Sequence, residues 1–576
     1  MIIKIPRGIV LRGKRLIFSE QTSILSAASI IMVMIVFSKI LGLVRQRVLL
    51  SFFVPDELSL FFAAFRFPDL VFEVLTLGTL SSAFIPVFTK LFKKDQQLAW
   101  KTAGRMLNLG LLIFALISIV FGIFAEDLYR IVAPGFSSEQ TEKIGYLARV
   151  LFAAQGFFVI SYVLTGVLES LRRFLIPALA PLFYNLGIIA GTVLFSSRFH
   201  LLAPSLGVLM GAFAHFLIQL PLSYKLGFRF EISLRPTKEV KKIGRLAMPR
   251  IFELSVLQIS KTVELFLASL ISTASYTYYT LANSVQLIPV GLFGVSLAKA
   301  ALPTLTSQSD DLARFKSTFL STLYQVVFLV MPIAGGLIVF RIPIVRLLFG
   351  TDIFDWEATV QTGLVLSAFA LGVPFQAAVM LLNRAFYALN DTKTPVFISL
   401  IGTTIAIIFS FIGILLLDLP TWALSASFSS GVIVQSIVLF YILSNRINGG
   451  VLINLYPFFK TVVSSLVSSG VMYFILKFFD RSVWVKRLSF LGSLDAHKRL
   501  DFEKFVLDTR YTTNLLILTL VTFFVGGVFY FLASYLLKSQ ELFTLTSLIK
   551  RRKKISSPPL RESETVSPSA KDNTEF

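Results

Sequence analysis

The sequence predicts an all-α polytopic membrane protein of about fourteen transmembrane helices, built as two six-helix lobes of one orientation plus two C-terminal helices. Three observations carry this reading. Hydrophobic residues make up 55% of the 576 and charged residues only 15%, with 58 Phe, whereas a soluble chain carries about 25% charged residues. The apolar residues fall into runs of about 20, the length at which a helix crosses ~30 Å of hydrocarbon. And landmarks recur at nearly one offset, as duplication of a six-helix unit would leave them.

The elements follow in order. The first run, 24–44, comes after Lys4, Arg7, Arg12, Lys14 and Arg15. It is too long for a cleaved signal peptide, carries Lys39 and has no small-residue cleavage site after it. The second, 59–88, holds Arg66, Asp69 and Glu73. A basic loop (Lys90, Lys93, Lys94, Lys101, Arg105) leads into the third, 106–127, and then come 146–168, 176–196 and 205–224. A basic linker at 225–247 precedes the charged seventh run, 248–271, and the eighth, 277–303. Runs at 318–340, 360–383, 395–417 and 422–444 have almost no internal charge after the tenth. The last two, 458–479 and 513–536, are separated by a loop mixing charge with Phe and Leu, which reads as an interfacial helix. A basic run, Lys550 to Lys554, opens a Ser/Pro/Glu-containing end that reads as disordered.

These runs divide the chain into a basic N-terminal segment (1–22), an N-lobe (23–224), a basic linker (225–247), a C-lobe (248–445), a two-helix extension with a long external loop (446–537) and a tail (538–576). Loops rich in Lys and Arg face the cytoplasm, which puts both termini inside. The net charge of +22 is thereby topological, and nucleic acid is not expected as a partner. The chain has no Cys, and His200, His215 and His497 are scattered. Thiol chemistry, Cys-ligated metal and a nucleotide-binding loop are all absent, so an enzyme is not expected, and no cofactor or metal.

Duplication shows in three places. Pro86 and Pro303 lie 217 apart, Pro177 and Pro395 lie 218 apart, and Ser38-Lys39 and Ser260-Lys261 lie 222 apart. An even number of spans gives both copies the same orientation, with a substrate path between them. The early helices of both copies carry the intramembrane charge. Arg250, Glu253, Lys261 and Glu264 share an arc of about 80° on the seventh helix, with Gln258 beside it. Arg66, Asp69 and Glu73 share a face of the second, and Lys39, Arg45 and Lys299 add positive charge. Such groups are costly in lipid and face a cavity or a partner. One reading is a cationic cavity for an anionic headgroup, its phosphates held by Arg forks and Lys point charges. The other is pairing within each helix at i,i+3, Arg250 with Glu253, Lys261 with Glu264 and Arg66 with Asp69. Ala133-Pro134-Gly135-Phe136 reads as a turn, and Asn390-Asp391-Thr392 as the cap of the eleventh helix.

Several stretches together resemble one family. They are Ser38 to Arg47 (SKILGLVRQR), Ala64-Phe65-Arg66-Phe67-Pro68-Asp69, Gly78, Ser82 to Pro86, Val132 to Phe136, Arg173 to Pro181 and Asp391 to Pro395. In order and spacing, from about 24 to 536, the chain is similar to the MurJ (MviN) lipid II flippases of the MOP transporter superfamily. The resemblance implies two six-helix lobes plus two helices in the bacterial cytoplasmic membrane. It implies alternating-access transfer of the lipid-linked peptidoglycan precursor, lipid II, from inner to outer leaflet for cell-wall biogenesis. Membrane lipids and cell-wall synthesis or division proteins would be further partners, and membrane potential or a cation gradient the energy source. The expected headgroup site is Lys39, Arg45, Arg66, Arg250, Lys261 and Lys299, with Glu73, Glu253 and Glu264 as candidates for ion or proton coupling. Arg45 matches the family's first-helix arginine, and Lys39 stands for another. Gln46, Ser59 and Leu77 stand where the family has acidic residues, and Phe72 and Ser284 where it has arginines. Two alternatives are compatible with the sequence. One is a superfamily exporter of another undecaprenyl-linked polysaccharide or of an organic cation, and the other is a transport-inactive scaffold.

Overall fold

A backbone in hydrocarbon must satisfy its own hydrogen bonds, so apolar runs become helices. The computed structural model describes residues 24–77, 83–230, 232–447, 456–479 and 511–543, and among them it is all helix and turn. The N-terminal half contains α1 (Ile24–Leu49), α2 (Pro55–Ala64), α3 (Arg66–Phe72), α4 (Ile85–Lys94), α5 (Gln96–Ile123), α6 (Ala125–Val132), α7 (Ser138–Ser170), α8 (Leu175–Phe199) and α9 (Leu202–Lys225). The second half contains α10 (Lys238–Ile271), α11 (Ser275–Pro289), α12 (Ser296–Ser307), α13 (Leu312–Val339), α14 (Arg341–Phe349), α15 (Trp356–Ala388), α16 (Lys393–Phe411) and α17 (Trp422–Arg446). Two further helices follow, α18 (Tyr456–Phe479) and α19 (Thr512–Leu536).

Eleven helices among the described residues are long and apolar enough to cross a membrane. The other three predicted spans fall on α1, the α2–α4 segment and α10. The expected single second helix is instead broken. A π-helical turn, Glu73–Leu77, interrupts it after α3, and 78–82 lie outside the described residues. The eighth span carries a π-turn of its own at Val290–Val295, between α11 and α12. A π-turn frees backbone groups and often marks a functional position. The predicted interfacial helix at 480–512 lies almost wholly outside the described residues, as do the first 23 residues and the tail beyond 543.

The internal repeat is written in the backbone as well as in the sequence. These two π-turns begin 217 positions apart, and a further one, Ile412–Leu416, follows α16. Arg172 and Asn390, at φ 57° and 58°, stand 218 apart, as do His200 and Asp418, at 45° and 49°. Asp95 and Asp311 cap α5 and α13 by accepting from the amides of Leu98 and Arg314. Ser137 and Asp355 do the same for α7 and α15. These offsets reproduce those read from the prolines.

The repeats meet around a pseudo-twofold axis. Ser59 and Thr277, 218 apart, are equivalent residues of the two copies, and their hydroxyls lie 2.9 Å from each other. The Thr277 amide also donates to Ser59 Oγ at 3.0 Å, and the Thr277 hydroxyl to the Pro55 carbonyl at 2.7 Å. The same membrane face carries more such joints. Arg47 donates to the Leu347 carbonyl at 2.6 Å and Thr351 to the Leu50 carbonyl at 2.6 Å. The turn at 133–136 reads as expected, and Gly135 explains its composition. A Cβ there would sit 2.0 Å from the Ser269 carbonyl oxygen of α10, so only glycine permits this approach. Its amide donates to Ser269 Oγ at 3.2 Å. Within the N-terminal half, α8 and α9 cross closely at Gly191 and Gly207, where a Cβ on one would meet the other's backbone at 2.3 Å. Among the described residues, hydrogen bonds joining α1–α9 to α10–α17 run from mid-membrane to this Leu49 face.

Candidate functional site

The charged helices of both halves converge beneath the Ser59–Thr277 joint. There they enclose a cavity of about 260 Å³ lined by Arg45 and Gln46 of α1, Arg66 and Asp69 of α3, Tyr184 of α8, Lys261 of α10 and Tyr276 of α11. Phe61, Phe62 and Phe65 supply an apolar wall. Arg66, Asp69 and Glu73 reach the interior because α3 and its π-turn keep them on one side, spaced three and four residues apart.

One polar chain runs through the site. The Arg66 guanidinium donates to Gln258 Oε1, and Gln258 Nε2 donates to Glu73 Oε2. Lys261 Nζ lies 3.0 Å from Glu73 Oε2 and 3.2 Å from its Oε1. Asp69 accepts from Gln155 of α7 at 2.6 Å. Arg66 and Gln258 are buried, while Lys261 keeps 46% of its side chain exposed. Two guanidinium nitrogens, Arg45 Nε and Arg66 Nε, are buried and have no hydrogen-bond partner. A buried donor left unmade costs ~1–3 kcal/mol, so both are poised for an acceptor that enters. Arg45 otherwise sits 6.0 Å from the centre of the Tyr184 ring.

The pairing differs from the within-helix alternative. Lys261 pairs with Glu73 of the other half rather than with Glu264, and Arg66 engages Gln258 rather than Asp69. Glu264 accepts from Ser260 at 3.4 Å and does not line the cavity. The reason is geometric: α3 and α10 face each other across the axis, and a facing helix brings an acceptor straight onto the cation. Of the six expected headgroup residues, Arg45, Arg66 and Lys261 share the cavity. Lys39 and Lys299 are exposed on α1 and α12, away from it. The side chains of Arg250 and Glu253 lie outside the described residues. Among the described residues no cluster of His, Asp and Glu is suited to a metal ion.

The sequence placed Gln258 beside the charged arc without giving it a partner, and it singled out neither Gln155 nor Tyr184. Gln258 links both lobes, Gln155 holds Asp69, and Tyr184 faces Arg45. The signal for the glutamines was present, since an amide inside an apolar helix needs a partner. Two departures from the family pattern also meet here: Ser284 donates to Gln46 Oε1 at 3.0 Å across the axis. The resemblance put an arginine and an acidic residue at these two positions, and here a neutral hydrogen bond joins them.

Comparison with known proteins bears on this arrangement. The family described as lipid II flippase MurJ matches residues 50–495, well over half of the chain. The chain belongs to the lipid II flippase MurJ family. A probable lipid II flippase MurJ of Thermotoga maritima is 28% identical over 375 residues, covering 64% of this chain and 76% of the relative. Its counterpart from Borreliella burgdorferi is 25% identical over 473 residues, covering 80% and 91%. Among solved structures, a lipid II flippase MurJ in an inward closed conformation aligns with TM-score 0.69 at 24% identity, covering 87% of this chain and 98% of that one. A MATE-family transporter of the MOP superfamily, inward-facing, aligns with TM-score 0.62 at 16% identity, covering 71% and 94%. These likenesses establish the fold expected of MurJ, with its polytopic all-helical architecture.

Proposed function

We propose that this chain is a lipid II flippase, a transporter and not an enzyme, whose central cavity takes the pyrophosphate-linked headgroup while the polyprenyl chain stays in lipid. The observation that carries the reading is the convergence of Arg45, Arg66 and Lys261 on one cavity between the halves, against a single lining carboxylate, Asp69. An exporter of organic cations would line its cavity with excess carboxylates and aromatics, so the charge favours an anionic headgroup. Family membership supports the same substrate.

The geometry suggests how binding couples to movement. The two unpartnered Nε–H groups and the exposed Lys261 ammonium are donors for phosphate oxygens. A pyrophosphate there competes with Glu73 for Lys261 and with Gln258 for Arg66. Losing those contacts loosens α3 from α10 and lets the Leu49 face part, as one lobe rocks against the other. Glu73, freed of its cation, becomes the candidate to take up a proton or coupled cation, with Glu253 and Glu264 on the facing helix. With the basic loops in the cytoplasm, as their charge favours, both termini lie inside and the Leu49 face outside. In this reading, the protein sits in the bacterial cytoplasmic membrane and serves peptidoglycan synthesis.

The test is complementation of a bacterial strain depleted of its own flippase, with lipid II at the outer leaflet as readout. Wild type restores exposure, and Arg45→Ala and Lys261→Ala abolish it. Restoration by all three would refute the cationic cavity. Failure of the wild type, in a membrane whose lipid II matches the source chemistry, would refute the substrate.

A further inference from the structure

On the outer surface of the N-terminal half, away from the central cavity, α5 and α7 part to leave a second hollow. It is a groove of about 350 Å³. Small residues open it, namely Ala115, Ser118 and Gly122 on α5 and Ala153 and Gly156 on α7. Its floor is the Phe114–Phe152 pair, ring centroids 6.5 Å apart. The flanking residues of α5 point outward: Leu116 is 56% exposed, Ile119 59% and Ile123 66%. On a membrane-crossing helix such a surface is in contact with acyl chains.

Arg149 closes the groove at its Leu49 end. Its Nε donates to the Gly122 carbonyl at 2.9 Å, in the last turn of α5. That contact uses one of five guanidinium N–H donors. Three carboxylates nearby in sequence are engaged elsewhere, Glu126 and Asp127 with Arg130 and Glu139 with Lys143, and Glu142 makes no ion pair with Arg149. Arg149 is exposed and pairs with no carboxylate among the described residues. Because α5 ends at Ile123, Arg149 stands level with the point where the chain leaves the hydrocarbon, the depth of lipid phosphates. An arginine at that level with its terminal nitrogens free is a fork for a phosphodiester.

We infer that this groove holds an anionic membrane phospholipid, one acyl chain lying between α5 and α7 and its phosphate on the terminal nitrogens of Arg149. Charge complementarity selects this occupant: a largely apolar groove ends at a cation that no carboxylate among the described residues pairs with. The site is separate from the transport path and stands whether or not the chain moves lipid II.

The test uses the full-length protein in detergent, titrated with phosphatidylglycerol or phosphatidylcholine and read by native mass spectrometry. Arg149→Gln keeps a donor for the Gly122 carbonyl and removes the charge. It is expected to weaken phosphatidylglycerol binding about fivefold, the effect of one basic side chain at a membrane surface, and to leave phosphatidylcholine binding unchanged. Gly156→Leu puts a side chain into the slot, and its Cβ makes only ordinary contact with the Phe114 ring at 3.9 Å; membrane yield equal to wild type confirms that the variant folds. This variant is expected to lose the retained lipid whatever its headgroup. Wild-type binding by both variants overturns the proposal. So does displacement of phosphatidylglycerol by a polyprenyl diphosphate, which would give the groove to the transported lipid.

Discussion

Ser59 and Thr277 sit on the pseudo-twofold axis, and their separation decides whether the Leu49 face must open during transport. Ser59→Ala removes the hydroxyl contact at 2.9 Å and the acceptor of the Thr277 amide at 3.0 Å. At ~1 kcal/mol for each net hydrogen bond the joint loses ~2 kcal/mol, which favours the parted state by about thirtyfold. The opposite perturbation is a cross-link. The chain has no Cys, so Ser59→Cys with Thr277→Cys is the only thiol pair present. Hydroxyls 2.9 Å apart put sulfurs at the same positions within reach of a bond of ~2.05 Å. A protease site inserted in the 232–237 linker turns the bond into a gel readout, since cut but oxidised protein stays one band. The expected result is that the oxidised pair exposes less than about a tenth of the wild-type lipid II, because a covalent joint cannot part thermally at the ~2 kcal/mol of the native one, and that reduction restores transport. Full transport by oxidised, cross-linked protein would refute the reasoning, for the face would then not need to open. Failure to cross-link, although each single thiol is labelled, would refute the axis itself.

Two further outcomes follow from named contacts. Gln258→Leu keeps the volume and breaks the chain from Arg66 to Glu73; transport in a reconstituted vesicle assay should fall at least about tenfold, since hydrogen bonds to charged groups are worth ~1.5–3 kcal/mol each, with wild-type membrane yield. Asp391, in the turn before α16, is pushed up by partial burial but held below the usual carboxylate range by the outweighing Thr394 hydroxyl and amide and by Arg446, 2.5 Å away. A depressed folded pKa adds stability that is complete above the unfolded value and is lost as pH falls through the folded one. Asp391→Asn should therefore lower thermal stability at pH 7 by about 1 kcal/mol, Arg446 being half in solvent, and the gap to wild type should close below about pH 4, near the unfolded carboxylate value. A gap that stays constant down to pH 3 would show the effect to be packing.

The cap at Asn390-Asp391-Thr392 illustrates what local sequence can reach. Asp391 accepts from the amides of Lys393 and Thr394, the pattern that a short acidic residue before a helix predicts. The duplication was equally legible, because proline and capping positions are local and survive at a common offset. The break in the second span was not. A π-turn at Glu73–Leu77 depends on what packs around it, and no residue type announces it.

The cavity divides along the same line. Its cationic character was readable from intramembrane charges on the first, second and seventh spans, since charge in lipid is too costly to be idle. Its membership was not, and Lys39 and Lys299 fall outside while Tyr184 and Tyr276 fall inside. Helical periodicity fixes which residues share a face of one helix, but says nothing of which face meets which.

By itself, then, the sequence determined the membrane class, the succession of apolar helices, the twofold repeat and the sign of the charge between the halves. All of these follow from composition, period and spacing. Only the tertiary structure decided the partners: Lys261 with Glu73 across 188 residues, Gln258 with both Arg66 and Glu73, and Ser59 with its repeat equivalent Thr277. An i,i+3 neighbour and a residue on a facing helix are equally good ion-pair partners in energy. The choice between them is made when two lobes dock and one acceptor is brought within 3 Å while the other is turned aside.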